Sequence, residues 1–189
     1  MELSHSFIVA LMYVTVLSFG LAGLLTTLAT VLNRSNNIQA SGVHMHWILI
    51  LLMVHFNMIW HTVFITKVND WTYYSFLVIT LGPILAFFAA SVLTPVPSEQ
   101  KDQKSLQQQY LGFKSQFLIL FAGLQLWTLL ADFTVGRDFT GSEALNVGLF
   151  VLAVLLYFKS DYKLHKTLIW VVWALYLGAI VLRNFEVIA

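Results

Sequence analysis

Long apolar runs, separated by short polar stretches, are the feature that most constrains this chain. Of its 189 residues, 59% are hydrophobic and only 10% are charged. Soluble domains carry about 45–50% apolar and about 25% charged residues. The apolar residues are gathered into runs near the length of about 20 that a helix needs to cross a bilayer. The sequence therefore predicts an all-α membrane protein.

Six such runs predict six transmembrane helices in a compact bundle with short loops, forming a single domain over 1–189. Their predicted bounds are about 6–32, 43–66, 71–93, 113–135, 143–158 and 164–182. The fifth run is short for a span. The hydrophilic stretch at about 94–112 is predicted as a loop, with a surface helix over 98–110 leading into the fourth span as an alternative. No Lys or Arg precedes the first run, which favours a retained helix over a cleaved secretory signal.

Lysine and arginine are distributed unequally between the two sides of the predicted bundle. Seven lie on the side opposite the termini: Arg34, Lys101, Lys104, Lys114, Lys159, Lys163 and Lys166. Three lie on the side of the termini: Lys67, Arg137 and Arg183. The positive-inside rule then predicts non-cytoplasmic termini and a cytoplasmic 94–112 loop. Short loops without a soluble domain favour the cytoplasmic (inner) membrane of a bacterium.

Small residues recur every four positions on two of the predicted spans. Gly82, Ala86 and Ala90 do so on the third, and Ala174 and Gly178 on the sixth. This spacing puts them on one face, where small side chains let helix backbones approach closely. We interpret these five residues as helix-packing positions.

The second span combines an apolar run with four of the six histidines and an asparagine. At about 100° per residue, His44 and His55 lie on one stripe of the helix, whereas His46, Asn57 and His61 lie towards the other side. Intramembrane ionisable groups are costly and normally face protein or water. Because polar groups occupy two sides, this helix is predicted to lie in the centre of the bundle.

Depth indicates which polar groups can meet. Gln125 is near the middle of the fourth span, at the depth of His55. Towards the terminal side, His61 lies about 9 Å further and Asp132 about 10 Å further, at 1.5 Å per residue. His61 and Asp132 could therefore pair if their two helices touch, and Arg183, which reaches a similar level, is a rival partner for Asp132. The candidate polar core or pathway is therefore formed by His55, Asn57, Gln125, His61, Asp132 and Arg183.

Three functions are compatible with this pattern. The leading hypothesis is a small channel or transporter-like protein with a polar centre on the second span, where histidine supplies a charge that switches near pH 6.5. In the alternative, interhelical hydrogen bonds only fix packing. The chain is then a non-catalytic structural or sensory subunit, which acts through lateral contacts of its small-residue faces or through the basic loop around Lys101 to Lys114, in a homo-oligomer or with other membrane subunits. A third hypothesis is a b-haem electron carrier, for which only His5 and His165 could face the second span as axial ligands.

Other classes of site receive little support from the sequence. The absence of cysteine removes thiolate metal sites and cysteine nucleophiles. His44, His46 and His165 are the weak candidates for a metal, and no cofactor is predicted. No P-loop, HExxH or GxSxG motif occurs, and no catalytic residue is predicted. An enzyme that acts on lipid or quinone stays an alternative, because Asp132, Asp138, Glu143 and His61 gather on the terminal side. A net charge of +1 gives no reason to expect nucleic acid, and the lipid bilayer is the predicted partner.

Overall fold

A computed structural model describes residues 5–32, 42–66, 71–94, 106–134 and 141–185, which are helical apart from helix ends and connections. In chain order, the helices are α1 His5–Leu32, α2 Gly42–Ile65, α3 Tyr73–Leu93, α4 Leu106–Thr134, α5 Ser142–Phe158 and α6 Tyr162–Phe185. Five are long and apolar enough to cross a membrane. The 17 residues of α5 span about 25 Å, less than the roughly 30 Å of a bilayer core. The chain is thus an all-α polytopic membrane protein.

The helices follow the predicted apolar runs, with one correction. Helix α4 begins at Leu106, so the predicted loop at 94–112 is wrong for residues 106–112. Its first turns contain several glutamines, which are good helix formers, and polarity alone does not end a helix. This part of the loop therefore continues directly into the fourth span. Residues 95–105 lie outside the described residues, and so does the predicted surface location of that segment.

Helix α2 contacts four other helices, namely α1, α3, α4 and α6. The remaining helices follow one another around it, with α1 against α3, α3 against α4, α4 against α5 and α5 against α6. The prediction of a central second span is only partly right. Met53, Phe56, Trp60 and Val63 form an exposed stripe on α2, where the described parts of α1 and α6 do not meet.

Two ends of the bundle can be distinguished. We call the end where α1 begins and α6 ends the terminal end, and the other the opposite end. The Trp71 indole donates to the Ser6 hydroxyl at 2.9 Å, which joins the starts of α1 and α3 at the terminal end. Between the two ends the core is apolar and aromatic. The Trp47 ring lies edge-on to Phe117 and Phe121, with centroids 4.9 and 5.1 Å apart.

Gly82 creates a notch on α3 that holds the Trp127 side chain of α4. A Cβ at this position would lie 2.2–2.5 Å from three atoms of the indole ring. The same ring donates its N–H to the Val78 carbonyl at 2.6 Å. Pro83 follows the notch inside α3. The close contact therefore depends on glycine, and it fixes how tightly α3 and α4 approach.

The other predicted packing positions have different surroundings. Ala86 and Ala90 are fully buried on α3. A Cβ at Gly178 would lie 3.1 Å from the Leu145 side chain, so this glycine packs α6 against α5. Ala174 is exposed, so it does not serve the packing predicted for it within this chain. The small residues of α3 are thus used inside the bundle.

We predict that Gly82→Ala destabilises the fold or displaces Trp127, because the added methyl overlaps a large ring whose N–H is held by a hydrogen bond. Overpacking of this kind costs about 1–3 kcal/mol of unfolding free energy. Gly112→Ala is the matched control, since a Cβ there meets nothing within 4 Å. The unfolding free energies of both variants are measured in detergent, with tryptophan fluorescence as the probe of unfolding. Equal stabilities for the two variants would contradict the notch.

Candidate functional site

Two adjoining cavities lie at the terminal end of the bundle. One has a volume of about 80 Å³ and the other about 130 Å³. Tyr13, His61, Trp127 and Arg183 line both, so the cavities share a wall. Side chains from all six helices contribute to the two linings together. We refer to the smaller as the polar cavity and to the larger as the aromatic cavity.

The polar cavity is lined by three carboxamide side chains from three helices. Asn57 lies on α2, Gln125 on α4 and Asn146 on α5. Thr128 and Tyr176 add hydroxyl groups, and the apolar neighbours include Val54 and Met58. A cavity of this size with several polar partners has room for a few water molecules or a small polar solute.

Two polar groups in this lining lack a hydrogen-bond partner among the described residues. They are the Asn146 Nδ2 and the Tyr176 hydroxyl. Both side chains belong to residues that are only 6% exposed. A buried polar group without a partner costs about 1–3 kcal/mol, so natural proteins rarely leave one unmatched. These two groups therefore mark the polar cavity as a place where a bound molecule completes the hydrogen bonding.

The aromatic cavity lies closer to the helix ends. Phe64 and Ile65 line it from the last turn of α2, and Trp71 lies just before α3. Asp132 and Arg183 belong to this lining as well. The cavity thus combines aromatic walls with an ion pair at the edge of the bundle.

Asp132 pairs with Arg183, and the pair joins α4 to α6. In the described part of the chain, α5 packs against both of these helices, which also meet at the opposite end through Tyr110 and His165. Both charged side chains are mostly buried, with 11% and 15% of their surfaces exposed. The ion pair therefore crosses the gap that forms the cavities, and Arg183, predicted as a rival partner for Asp132, pairs with it.

A continuous hydrogen-bond network closes the opposite end. The Trp47 indole donates to the Tyr110 hydroxyl at 3.2 Å, and this hydroxyl lies 2.9 Å from His165 Nδ1. His165 Nε2 lies 3.0 Å from the Lys159 carbonyl, which also accepts from the buried Lys114 ammonium group. The network connects α2, α4 and α6 to the end of α5.

The directions of these hydrogen bonds can be assigned from donors and acceptors alone. A carbonyl oxygen only accepts, so His165 Nε2 carries the proton that is donated to Lys159. In the neutral ring, Nδ1 is then an acceptor, and the Tyr110 hydroxyl donates to it. Tyr110 still accepts from Trp47. Each member is therefore satisfied when His165 is neutral, and both of its ring nitrogens are occupied.

His55 lies outside the linings of both cavities. Its Nδ1 is 2.7 Å from the Leu51 carbonyl of its own helix. A Cβ at Gly20 would come within 2.5 Å of Nε2 and within 3.3 Å of the Phe87 backbone. His55 thus packs where α1, α2 and α3 cross, and the structure does not bring it to Gln125 at the cavity.

The two histidines at the start of α2 also face different neighbours. His44 is buried, with its ring edge-on to Phe113 at 5.8 Å. His46 Nδ1 accepts from the Trp173 indole at 3.2 Å. Within the described residues, no group of three or more His, Asp or Glu side chains is placed to hold a metal ion.

The structure therefore brings together five of the six predicted polar residues. The five that line the two adjoining cavities are Asn57, Gln125, His61, Asp132 and Arg183. Sequence reasoning missed Tyr13, Asn146 and Tyr176. Asn146 could have been noticed as an asparagine inside an otherwise apolar fifth run. Tyr13 and Tyr176 lie away from the ends of their runs, so an interfacial belt of aromatic residues does not explain them.

Comparisons with known proteins give no lead to a function. No protein-family model matches the chain, and neither the curated proteins nor the solved structures provide a significant match. The function is therefore argued from the cavities and their surroundings.

We predict that Asp132→Ala and Arg183→Ala each lower the free energy of unfolding by about 3–5 kcal/mol, because each leaves a mostly buried charge without its main partner. The loss of unfolding free energy in the double variant should be much smaller than the sum of the losses in the two single variants. Lys166→Ala, at an exposed position of α6, is the control. Thermal unfolding in detergent tests this cycle, and strictly additive losses would exclude an energetic coupling between the two side chains.

We predict that Tyr110→Phe lowers the free energy of unfolding by about 1–3 kcal/mol, because it removes an acceptor from Trp47 and a donor from His165 at a fully buried position. Tyr73→Phe serves as the control, since Tyr73 is 77% exposed. Unfolding by denaturant measures the difference. A Tyr110→Phe variant as stable as the wild type would mean that the network contributes nothing to stability.

Proposed function

We propose that this chain is a small transporter-like membrane protein that admits a solute at the terminal end and holds it in the polar cavity. The observation that carries the proposal is the polar cavity itself, which unites three carboxamides and the Tyr176 hydroxyl inside an apolar bundle. The hydroxyl and the Asn146 amide nitrogen have no hydrogen-bond partner among the described residues. Polar groups at this depth are costly in a membrane and usually line a pathway or binding site. The polar centre includes Asn57 of the second span, whereas His55 is now assigned a packing role.

Access from one end favours a transporter-like protein over an open channel. Between the polar cavity and the opposite end, the bundle is filled by buried apolar side chains, including Trp47, Phe117 and Phe121. Further on, the Trp47–Tyr110–His165 network joins the helices of the opposite end. A solute that crosses the protein must pass both layers, so passage requires a rearrangement of the kind that alternating access provides.

The charge distribution suggests which side the cavities face. We propose that all six helices cross the membrane, because α5 must carry the chain from the terminal end, where α4 ends, back to the opposite end, where α6 begins. The excess of lysine and arginine on the opposite side then puts the cavities on the non-cytoplasmic face. We retain a bacterial cytoplasmic membrane as the proposed location.

Two alternatives have less support from the geometry. A structural or sensory subunit, in a homo-oligomer or with other partners, was argued from small-residue faces, but Gly82, Ala86 and Ala90 are used within the chain. A b-haem carrier needs free histidine nitrogens on facing helices. Both nitrogens of His165 are engaged in hydrogen bonds, and Nδ1 of His46 is engaged as well. The proposal therefore includes no cofactor.

We predict that Gln125→Leu lowers solute flux by about tenfold in proteoliposomes, which corresponds to about 1.4 kcal/mol, the loss of roughly one hydrogen bond in the cavity. Gln116→Leu is the matched control, because it makes the same change at an exposed position of the same helix. The panel of solutes is glycerol, urea, K⁺ and Cl⁻. If the wild-type protein moves none of them faster than protein-free liposomes do, this panel gives no support and the transporter proposal is overturned.

A further inference from the structure

We propose that the molecule held in the polar cavity is a small uncharged solute with a hydrogen-bond-accepting oxygen, such as an amide, a urea or a polyol, rather than an ion. This inference rests on the proposed function and names its substrate class. It is carried by the charge balance of the cavities and by the identity of the two unpartnered groups.

The charges that line the cavities balance each other. Arg183 and Asp132 form an ion pair, so their opposite charges cancel at short range. Apart from Arg183 and His61, the polar groups that line the polar cavity are carboxamides, hydroxyls and the Trp127 indole, which carry no net charge. A buried ion without an opposite charge pays a large desolvation penalty. Such a lining favours a neutral molecule over either a cation or an anion.

The unpartnered groups specify the kind of atom that fits. An amide nitrogen only donates, so Asn146 Nδ2 needs an acceptor oxygen. The Tyr176 hydroxyl can donate or accept, and it lines the same cavity. A carbonyl or hydroxyl oxygen satisfies the amide nitrogen, and a second polar atom of the same molecule satisfies the tyrosine. A purely apolar guest would leave both groups unsatisfied.

The size of the polar cavity and the residues around it narrow the class of solute further. A polar cavity of about 80 Å³ accommodates only a few non-hydrogen atoms. The aromatic cavity next to it offers Phe64, Trp71 and Trp127 as apolar walls on the way to the terminal end. Aromatic walls shield a guest from water without adding charge. A small solute such as urea, acetamide or glycerol therefore matches the site better than a sugar or a peptide.

The experiment compares neutral and ionic probes in proteoliposomes. Light scattering after an osmotic step measures the entry of urea, acetamide and glycerol, and fluorescent dyes report K⁺ and Cl⁻. We expect entry of at least one neutral solute above that of protein-free liposomes, with no ion flux. Tyr176→Phe should lower this entry about tenfold, which corresponds to about 1.4 kcal/mol. Its stability should not fall, because the hydroxyl has no partner among the described residues.

Controls separate this inference from the proposed function. Tyr74→Phe makes the same change at an exposed tyrosine and should leave entry as in the wild type. Asn146→Leu is a second cavity variant, with the same expected loss of entry. Flux of K⁺ or Cl⁻ without neutral solutes would overturn the solute class and keep a transport function. Unchanged solute entry in both the Tyr176→Phe and Asn146→Leu variants would also overturn the inference that these groups hold the solute. The absence of flux for every probe would instead overturn the proposed function.

Discussion

The ion pair between Asp132 and Arg183 is the interaction on which the cavity end of this bundle depends. It joins α4 to α6, two helices that both pack against α5 in the described structure. A charge inside a membrane protein needs an opposite charge or water, so neither side chain can turn towards lipid. The pair therefore holds its two helices at a fixed separation. Apolar side chains in its place would favour collapse of the space that Tyr13, His61 and Trp127 line.

Two sets of buried polar groups, one at each end of the bundle, differ in how fully their hydrogen bonds are satisfied. At the opposite end, Trp47, Tyr110 and His165 exchange hydrogen bonds in which each group has a partner. At the terminal end, Asn146 Nδ2 and the Tyr176 hydroxyl have none among the described residues. A satisfied network rigidifies its surroundings, while an unsatisfied one is destabilising unless a ligand or water completes it. Because the unpartnered groups of the terminal end line a cavity that a guest can enter, the terminal end is the candidate site.

Sequence reasoning succeeded for the helices and for part of the site. Apolar run length predicted six helices close to their observed bounds, because the bilayer sets that length. Depth along the spans offered His61 first and Arg183 second as partners for Asp132, and the structure forms the ion pair with Arg183. Depth could not orient His55, because the Gly20 notch that receives this ring lies on another helix and has no signature in helical periodicity. Tyr13, Asn146 and Tyr176 were missed because their convergence depends on which helices are neighbours.

Glycine and tryptophan connect the packing of the bundle to the shape of its site. The Gly82 notch lets the Trp127 ring lie against α3, and the indole N–H is fixed by the Val78 carbonyl. The same ring forms part of the wall of both cavities. A rigid aromatic wall keeps its shape at low entropic cost, because few rotamers are lost when it is packed. Any rearrangement that passes a solute towards the opposite end must therefore move α3 and α4 together, or release Trp127 from its notch.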